Sequence, residues 1–239
     1  MALFLVGSRP GDEITTVYDS FVTQAKDFGT QVGVLIAAES DEAAANTYLD
    51  PIRARWPQAQ FKVCWLNQDT ALPAFDDLGG LIVADGKPAD YLKQMRAHRE
   101  AIARQVRAGM PYLGFAAGAM ITAKNAIIGG VNSNGRQVCS TAVSEGLDAV
   151  TVEDGLALIG PSVDTHADTC QTLGRGVEVL RNGEMGSVLL IDEATALIVN
   201  ATNGRTQTVG HGCITWLSRA GSHIAVRFET PKPTPNVAS

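Results

Sequence analysis

The chain has 239 residues, of which 45% are hydrophobic and 18% charged, and a net charge of -6. That length can bury a sizeable core in a single α/β domain, and the composition excludes an intrinsically disordered chain. An acidic chain has no basic surface for phosphate backbones, so no nucleic-acid partner is expected.

The opening run Met1 to Gly7 is too short for a signal segment and has no basic flank. No apolar run approaches membrane-spanning length, so a cytoplasmic location with no membrane partner is expected. Ala2 to Val6 reads as a buried strand stopped by Gly7-Ser8-Arg9-Pro10. Ile14, Val17, Tyr18, Phe21, Val22 and Ala25 recur at three- and four-residue spacing and predict one helical face. Gln31 to Ala37 is the second strand, and Asp41 to Arg55 a helix with Ser40-Asp41-Glu42 as its capping region. Phe61 to Leu66 and Gly80 to Ala84 are the third and fourth strands. Pro88 to about Arg107 reads as one long helix, with Leu92, Met95, Ile102 and Val106 as its apolar stripe and Gly109 closing it. Pro111 to Phe115 is the next strand.

This alternation predicts an α/β fold: a single domain over residues 1–230, with a mostly parallel sheet covered by helices on both faces. The second half is richer in strands, at Gly155 to Ile159, Ser187 to Ile191, Thr195 to Asn200, Thr206 to Val209 and His223 to Phe228. A helix from about Thr169 to Arg181 separates the first of these from the rest. Residues 231–239, rich in proline, are expected to form an extended, flexible tail.

Four stretches carry candidate chemistry. In Pro111-Tyr-Leu-Gly-Phe-Ala116-Ala-Gly-Ala-Met120 a strand runs into small residues that open a helix, the setting of a G-x-S-x-G nucleophile elbow, but the central residue is Ala116. The turn after Gly79-Gly80-Leu-Ile-Val, Ala84-Asp85-Gly86-Lys87, reads either as an ordinary strand-to-helix turn or as backbone N–H groups presented to an anion. In Asp164-Thr-His166-Ala-Asp168 the histidine suits a general base in a site loop, or else the aspartates cap a helix and the histidine is incidental. Asp192-Glu193 between apolar strands is a solvated turn, or it supplies the acid that orients an imidazole. His98 belongs to an exposed helix face, and His211 and His223 read as structural. The cysteines Cys64, Cys139, Cys170 and Cys213 include no C-x-x-C pair, so zinc and a redox dithiol have little support.

Three of these pieces fit one family. Gly114-Phe-Ala116-Ala-Gly-Ala119-Met resembles the G-[TFW]-S-A-G-A elbow of the dipeptidase E and cyanophycinase family of serine peptidases, with alanine in place of serine. Ile127-Ile-Gly-Gly130 is similar to a segment of the cyanophycinase branch. Glu153-Asp-Gly-Leu-Ala-Leu-Ile-Gly-Pro-Ser-Val-Asp164-Thr-His166 resembles the family's G-L-G-L…D-[TQ]-H-F, and Ile191-Asp192-Glu193-Ala-Thr195-Ala196-Leu197 its G-I-D-E-x-T-A-L. The resemblance runs from about Gly80 to the last strand.

It implies a class I glutamine amidotransferase-like fold, no cofactor or metal, and hydrolysis of Asp-linked or isoaspartyl small peptides by a Ser-His-Glu triad. Members often form homodimers. Carried onto this chain, Ala116 takes the nucleophile position, His166 is the general base, and Glu193, or alternatively Asp192, orients it. Ala117 and Gly86 supply the oxyanion N–H groups, and Asp85, Lys87 and Arg175 lie toward the substrate, with Lys87, Arg175 and Arg181 able to meet a carboxylate. The chain departs from the pattern at Ala116, at Ala84-Asp85-Gly86-Lys87 where the family is Gly-Gly-rich, and at Ala167 where it has phenylalanine. The expectation is a serine peptidase made inactive by an engineered Ser→Ala replacement, the alternative being a natural pseudoenzyme that binds a peptide or small ligand without cleaving it.

Overall fold

In the computed structural model, which describes residues 2–38, 41–66, 71–183, 185–200 and 202–232, the predicted alternation is realised. Its elements are β1 (Ala2–Val6), α1 (Thr15–Phe28), β2 (Gln31–Ile36), α2 (Glu42–Arg53), β3 (Gln60–Trp65), β4 (Gly80–Val83), α3 (Pro88–Met95), α4 (Arg99–Ala108) and β5 (Tyr112–Phe115) in the first half. A one-turn helix α5 (Ala117–Met120) leads to β6 (Asn125–Gly129), β7 (Asn132–Ser133), β8 (Arg136–Gln137), β9 (Thr151–Asp154) and β10 (Ser162–Asp164). Then follow α6 (Leu173–Asn182), β11 (Ser187–Ile191), β12 (Thr195–Asn200), β13 (Thr206–Gly210), β14 (Ile214–Ala220) and β15 (His223–Glu229). Ser40 and the tail from 233 onward lie outside the described residues.

A seven-stranded sheet has the order β13-β12-β1-β5-β4-β2-β3. From β1 to β3 it is parallel, and β12 and β13 add an antiparallel edge. The period-two alternation of side chains explains why both faces are apolar. Leu3, Leu5, Leu81, Val83 and Tyr112 point to one side and pack with Tyr91, Leu92, Met95, Ile102 and Val106 of α3 and α4. Phe4, Val6, Val34, Ile82 and Leu113 point to the other, where they meet Val17, Phe21 and Val22 of α1 and Leu49 and Ile52 of α2. Asp41 caps α2 as expected, its carboxylate accepting from the Ala43 N–H at 3.0 Å. A second sheet, β10-β11-β14-β15, packs Val188, Leu190 and Leu217 against Val179 and Leu180 of α6.

Three expectations need correction. The helix expected over 88–107 is two helices, α3 and α4, joined by a 3-10 turn at Arg96–His98. The apolar stripe survives intact across the break, so periodicity alone cannot reveal it. At the break Arg96 reaches the carbonyl of Asp154 and the carboxylate of Glu153, and the His98 ring packs on Phe75. Gly155 to Ile159 is not a strand: Ile159 makes one isolated bridge to Ala123, and the paired segments are β9 before it and β10 after it. Ile214–Ala220, outside the strands that the sequence pattern predicts, is β14 and pairs with β11 on one edge and β15 on the other.

Candidate active site

The site is built at the carboxyl ends of the parallel strands, where open α/β sheets gather their functional loops. Strand β5 ends at Phe115, and the N–H of Ala116 still bonds to the Val6 carbonyl at 2.9 Å. The chain then reverses sharply: Ala116 has φ 42° and ψ -104°, a conformation that L residues rarely adopt, and its carbonyl accepts from Ala119 and Met120 to start α5. The flanking glycines are required by contact. A Cβ on Gly114 would lie 2.4 Å from the Gly118 carbonyl oxygen, and one on Gly118 would lie 2.2 Å from the carbonyl oxygen of Val83. The buried Tyr112 hydroxyl donates to the Gly118 carbonyl at 2.7 Å and braces the turn. A strained strand-to-helix turn held by close packing is the backbone shape that a nucleophile elbow requires.

His166 arrives from the second sheet. Its N–H donates to the carbonyl of Gly7 at 3.0 Å, so Ala116 and His166 are tied to the consecutive carbonyls of Val6 and Gly7 at the end of β1. Like Ala116, His166 has a positive φ, 53°. Its Nδ1 lies 2.8 Å from Glu193 Oε1, which also accepts from the Thr169 hydroxyl at 2.9 Å. An ionised carboxylate only accepts, so this contact places the ring proton on Nδ1 and leaves Nε2 as the basic nitrogen. The Glu193 turn is itself held: its N–H donates to Asp168 Oδ1 at 2.9 Å, and the N–H of Ala194 donates to Ser8 Oγ at 3.2 Å.

Asp192 has a different role. Its Oδ2 accepts from the Cys213 N–H at 2.8 Å, and burial pushes its carboxyl above the ordinary value against that hydrogen bond. Of the two acids, Glu193 therefore faces the imidazole.

A cleft of about 580 Å³ opens beside His166, with Asp85, Gly86, Lys87, Glu145 and Cys170 in its wall. The turn after β4 is fixed by two tyrosines: Tyr48 OH accepts from the Asp85 N–H and Tyr91 OH donates to the Asp85 carbonyl. Ala117, the first residue of α5, has no intrahelical acceptor for its N–H. Gly86 differs from expectation as an oxyanion donor: its N–H is already engaged by Asp85 Oδ1 at 2.7 Å, while Asp85 Oδ2 pairs with Arg9 at 3.2 Å.

Arg175 is a correction. It is 1% exposed and forks onto Asp164, itself fully buried, through Nε at 2.8 Å and Nη2 at 2.6 Å. Its Nη1 donates to the carbonyls of Val143 and Gly130. Burial works against the guanidinium, but the Asp164 carboxylate outweighs it and holds the pKa above the ordinary value. With its donors spent inside the protein, Arg175 is a structural residue and not a substrate contact. Arg181 pairs with Glu178 at 2.6 Å on α6, and Lys87, which is exposed in the cleft wall, is the nominated cation that remains to meet a substrate.

Several residues that shape the two turns and the cleft carry no sequence signal. Tyr48, Tyr91 and Tyr112 look like apolar stripe positions, and only the structure shows their hydroxyls bracing the two site turns. Glu145 sits at φ 54° in the cleft wall. Burial pushes its carboxyl up, with Asp85 acting in the same sense and Arg175, Lys87 and His166 opposing.

The chain matches no protein-family model and no curated protein. It does match solved structures. A peptidase from an acI-B1 actinobacterium superposes with a TM-score of 0.64 at 16% identity, over 97% of this chain and 95% of that one. A candidate peptidase E from Listeria monocytogenes EGD-e gives 0.54 at 16% identity, over 88% and 98%. The chain therefore has the α/β fold of these structures over nearly its whole length.

Proposed function

We propose that the chain carries the cleft of a serine-type peptidase whose nucleophile seat is filled by Ala116, so that as it stands it holds a small peptide without cutting it. The observation that carries this reading is the 2.8 Å His166–Glu193 pair, tethered through β1 beside the strained Ala116 turn. The peptidase structures that share the fold support it.

With serine at 116, the hydroxyl would attack the scissile carbonyl while His166 Nε2 took its proton, and Glu193 would hold the imidazole tautomer and stabilise the imidazolium. The Ala117 N–H would receive the developing oxyanion. His166 would then return its proton to the leaving amine, and water would release the acyl group by the same route. Lys87 is the cation assigned to a substrate carboxylate, consistent with Asp-linked or isoaspartyl small peptides. Alanine has no atom that can form the acyl-enzyme, which removes the covalent route altogether.

One observation favours a natural binding protein over an engineered replacement of serine. The Gly86 N–H is satisfied by Asp85, and so an oxyanion at Ala117 would lack a second donor until that turn rearranged. Codon 116 of the gene separates the two origins. The function itself is tested with Ala116→Ser: peptide hydrolysis that depends on His166 supports the peptidase reading, and a folded variant inert across a broad panel of acidic and isoaspartyl peptides overturns it.

A further inference from the structure

All four cysteines are free thiols, and two of them, far apart in sequence, are brought together by the fold. The N–H of Ser140, the residue after Cys139, donates to the Cys170 carbonyl at 2.9 Å. Standard peptide dimensions then put the two Cα atoms within about 7 Å of each other, a span that a disulfide can bridge. Cys139 is buried in a small apolar cluster with Val131 and Val143, and the partly buried Cys170 packs against that same cluster. Cys139 is 5% exposed, with its sulfur 3.7 Å from the Gly130 carbonyl oxygen. Cys170 lines the cleft that holds His166, and its N–H donates to the His166 carbonyl at 2.8 Å.

We propose that Cys139 and Cys170 are a dithiol that closes reversibly to a disulfide in the cleft wall. The accessible member reacts first. With a low-molecular-weight disulfide as oxidant, the Cys170 thiolate attacks one sulfur of the reagent, forms a mixed disulfide and expels one small thiolate. The Cys139 thiolate then attacks the Cys170 sulfur, which forms the protein S–S bond and expels the second small thiolate. The two protons shed by the protein thiols end on the two small thiols, so the protein is oxidised by two electrons and the reagent reduced by two. The new bond ties the turn that follows His166 to the Cys139–Val143 segment, whose Val143 carbonyl anchors Arg175. Oxidation thereby staples two parts of the cleft wall together. Because no reaction at position 116 is involved, the proposal does not rest on the peptidase reading.

The test treats the full-length chain with oxidised glutathione, traps remaining thiols with N-ethylmaleimide in denaturant, and maps peptides without reduction. Two of the four thiols should be lost to a single Cys139–Cys170 cross-link, fully restored by dithiothreitol. In Cys139→Ser the same treatment should stop at a glutathione adduct on Cys170. A cross-link to Cys64 or Cys213, a persistent glutathione adduct on Cys170 of the unsubstituted chain, or four unmodified thiols would each overturn the proposal. Circular dichroism before and after oxidation verifies that the reacting chain is folded.

Discussion

Replacing Arg175 by methionine keeps most of the side-chain volume and removes the guanidinium. The Asp164 carboxylate is fully buried and would lose its fork of two hydrogen bonds, and the carbonyls of Val143 and Gly130 would lose their donor. Breaking a buried ion pair from one side costs about 3–5 kcal/mol, because the remaining charge stays buried without compensation. Set against a typical stability of about 5–15 kcal/mol, that is a large fraction of the total. For a chain of this size each kcal/mol lowers Tm by about 2–4 °C, so Arg175→Met should melt about 6–20 °C below the parent. The double variant Asp164→Asn with Arg175→Met should recover part of that loss, since the orphaned charge is gone. Thermal unfolding followed by circular dichroism reads both. If Arg175→Met melted within about 2 °C of the parent, the buried-pair assignment would fail and Arg175 would again be a candidate substrate contact.

Three further outcomes follow from the site. In the Ala116→Ser background, Glu193→Gln should lower kcat by roughly 10⁴-fold, the scale seen when a triad acid is replaced by its amide, while Asp192→Asn should cost much less; comparable losses for both would remove the distinction drawn between the two acids. Gly118→Ala would press a Cβ to 2.2 Å from the Val83 carbonyl oxygen, and the resulting overpacking should cost about 1–3 kcal/mol or more, read as a lower denaturation midpoint. For Glu145, burial raises the folded-state pKa above the unfolded one, so the ionised carboxylate weighs against folding at neutral pH, and the penalty fades as pH falls through the folded-state pKa and is gone below the unfolded value. Glu145→Gln should therefore raise Tm at pH 7 and have a smaller effect near pH 4; a larger effect at pH 4 would contradict that sign.

Much of the fold was legible because it rests on periodicity. The face of α1 and the apolar strands β1 to β5 follow from spacing, α2 is marked by the capping region around Asp41, and the glycines around Ala116 mark a turn even before its contacts are seen. What was hidden depends on partners distant in sequence. Arg175 reads as a cation free for a ligand until the fold closes it onto Asp164, and Asp164 reads as a flank of His166 or a helix cap until Arg175 covers it. The strand β14 begins with the β-favouring Ile214, Thr215 and Trp216, yet its pairing on both edges is a tertiary fact. The break between α3 and α4 involves no proline or glycine and occurs where Arg96 is drawn to β9. The His166–Glu193 contact was expected from the family resemblance, whereas the neighbouring thiols Cys139 and Cys170 had no spacing that could announce them.

The central claim is that the His166–Glu193 pair is a peptidase's acid–base pair beside an elbow whose nucleophilic atom is missing. The most direct measurement is labelling of purified Ala116→Ser by a serine-directed phosphonate, followed by mass spectrometry, alongside Ala116→Ser with His166→Ala. The account predicts one phosphonyl group on the residue at position 116, formed in the single variant and lost in the double one. A folded Ala116→Ser protein that remains unlabelled, or one labelled equally without His166, would contradict it.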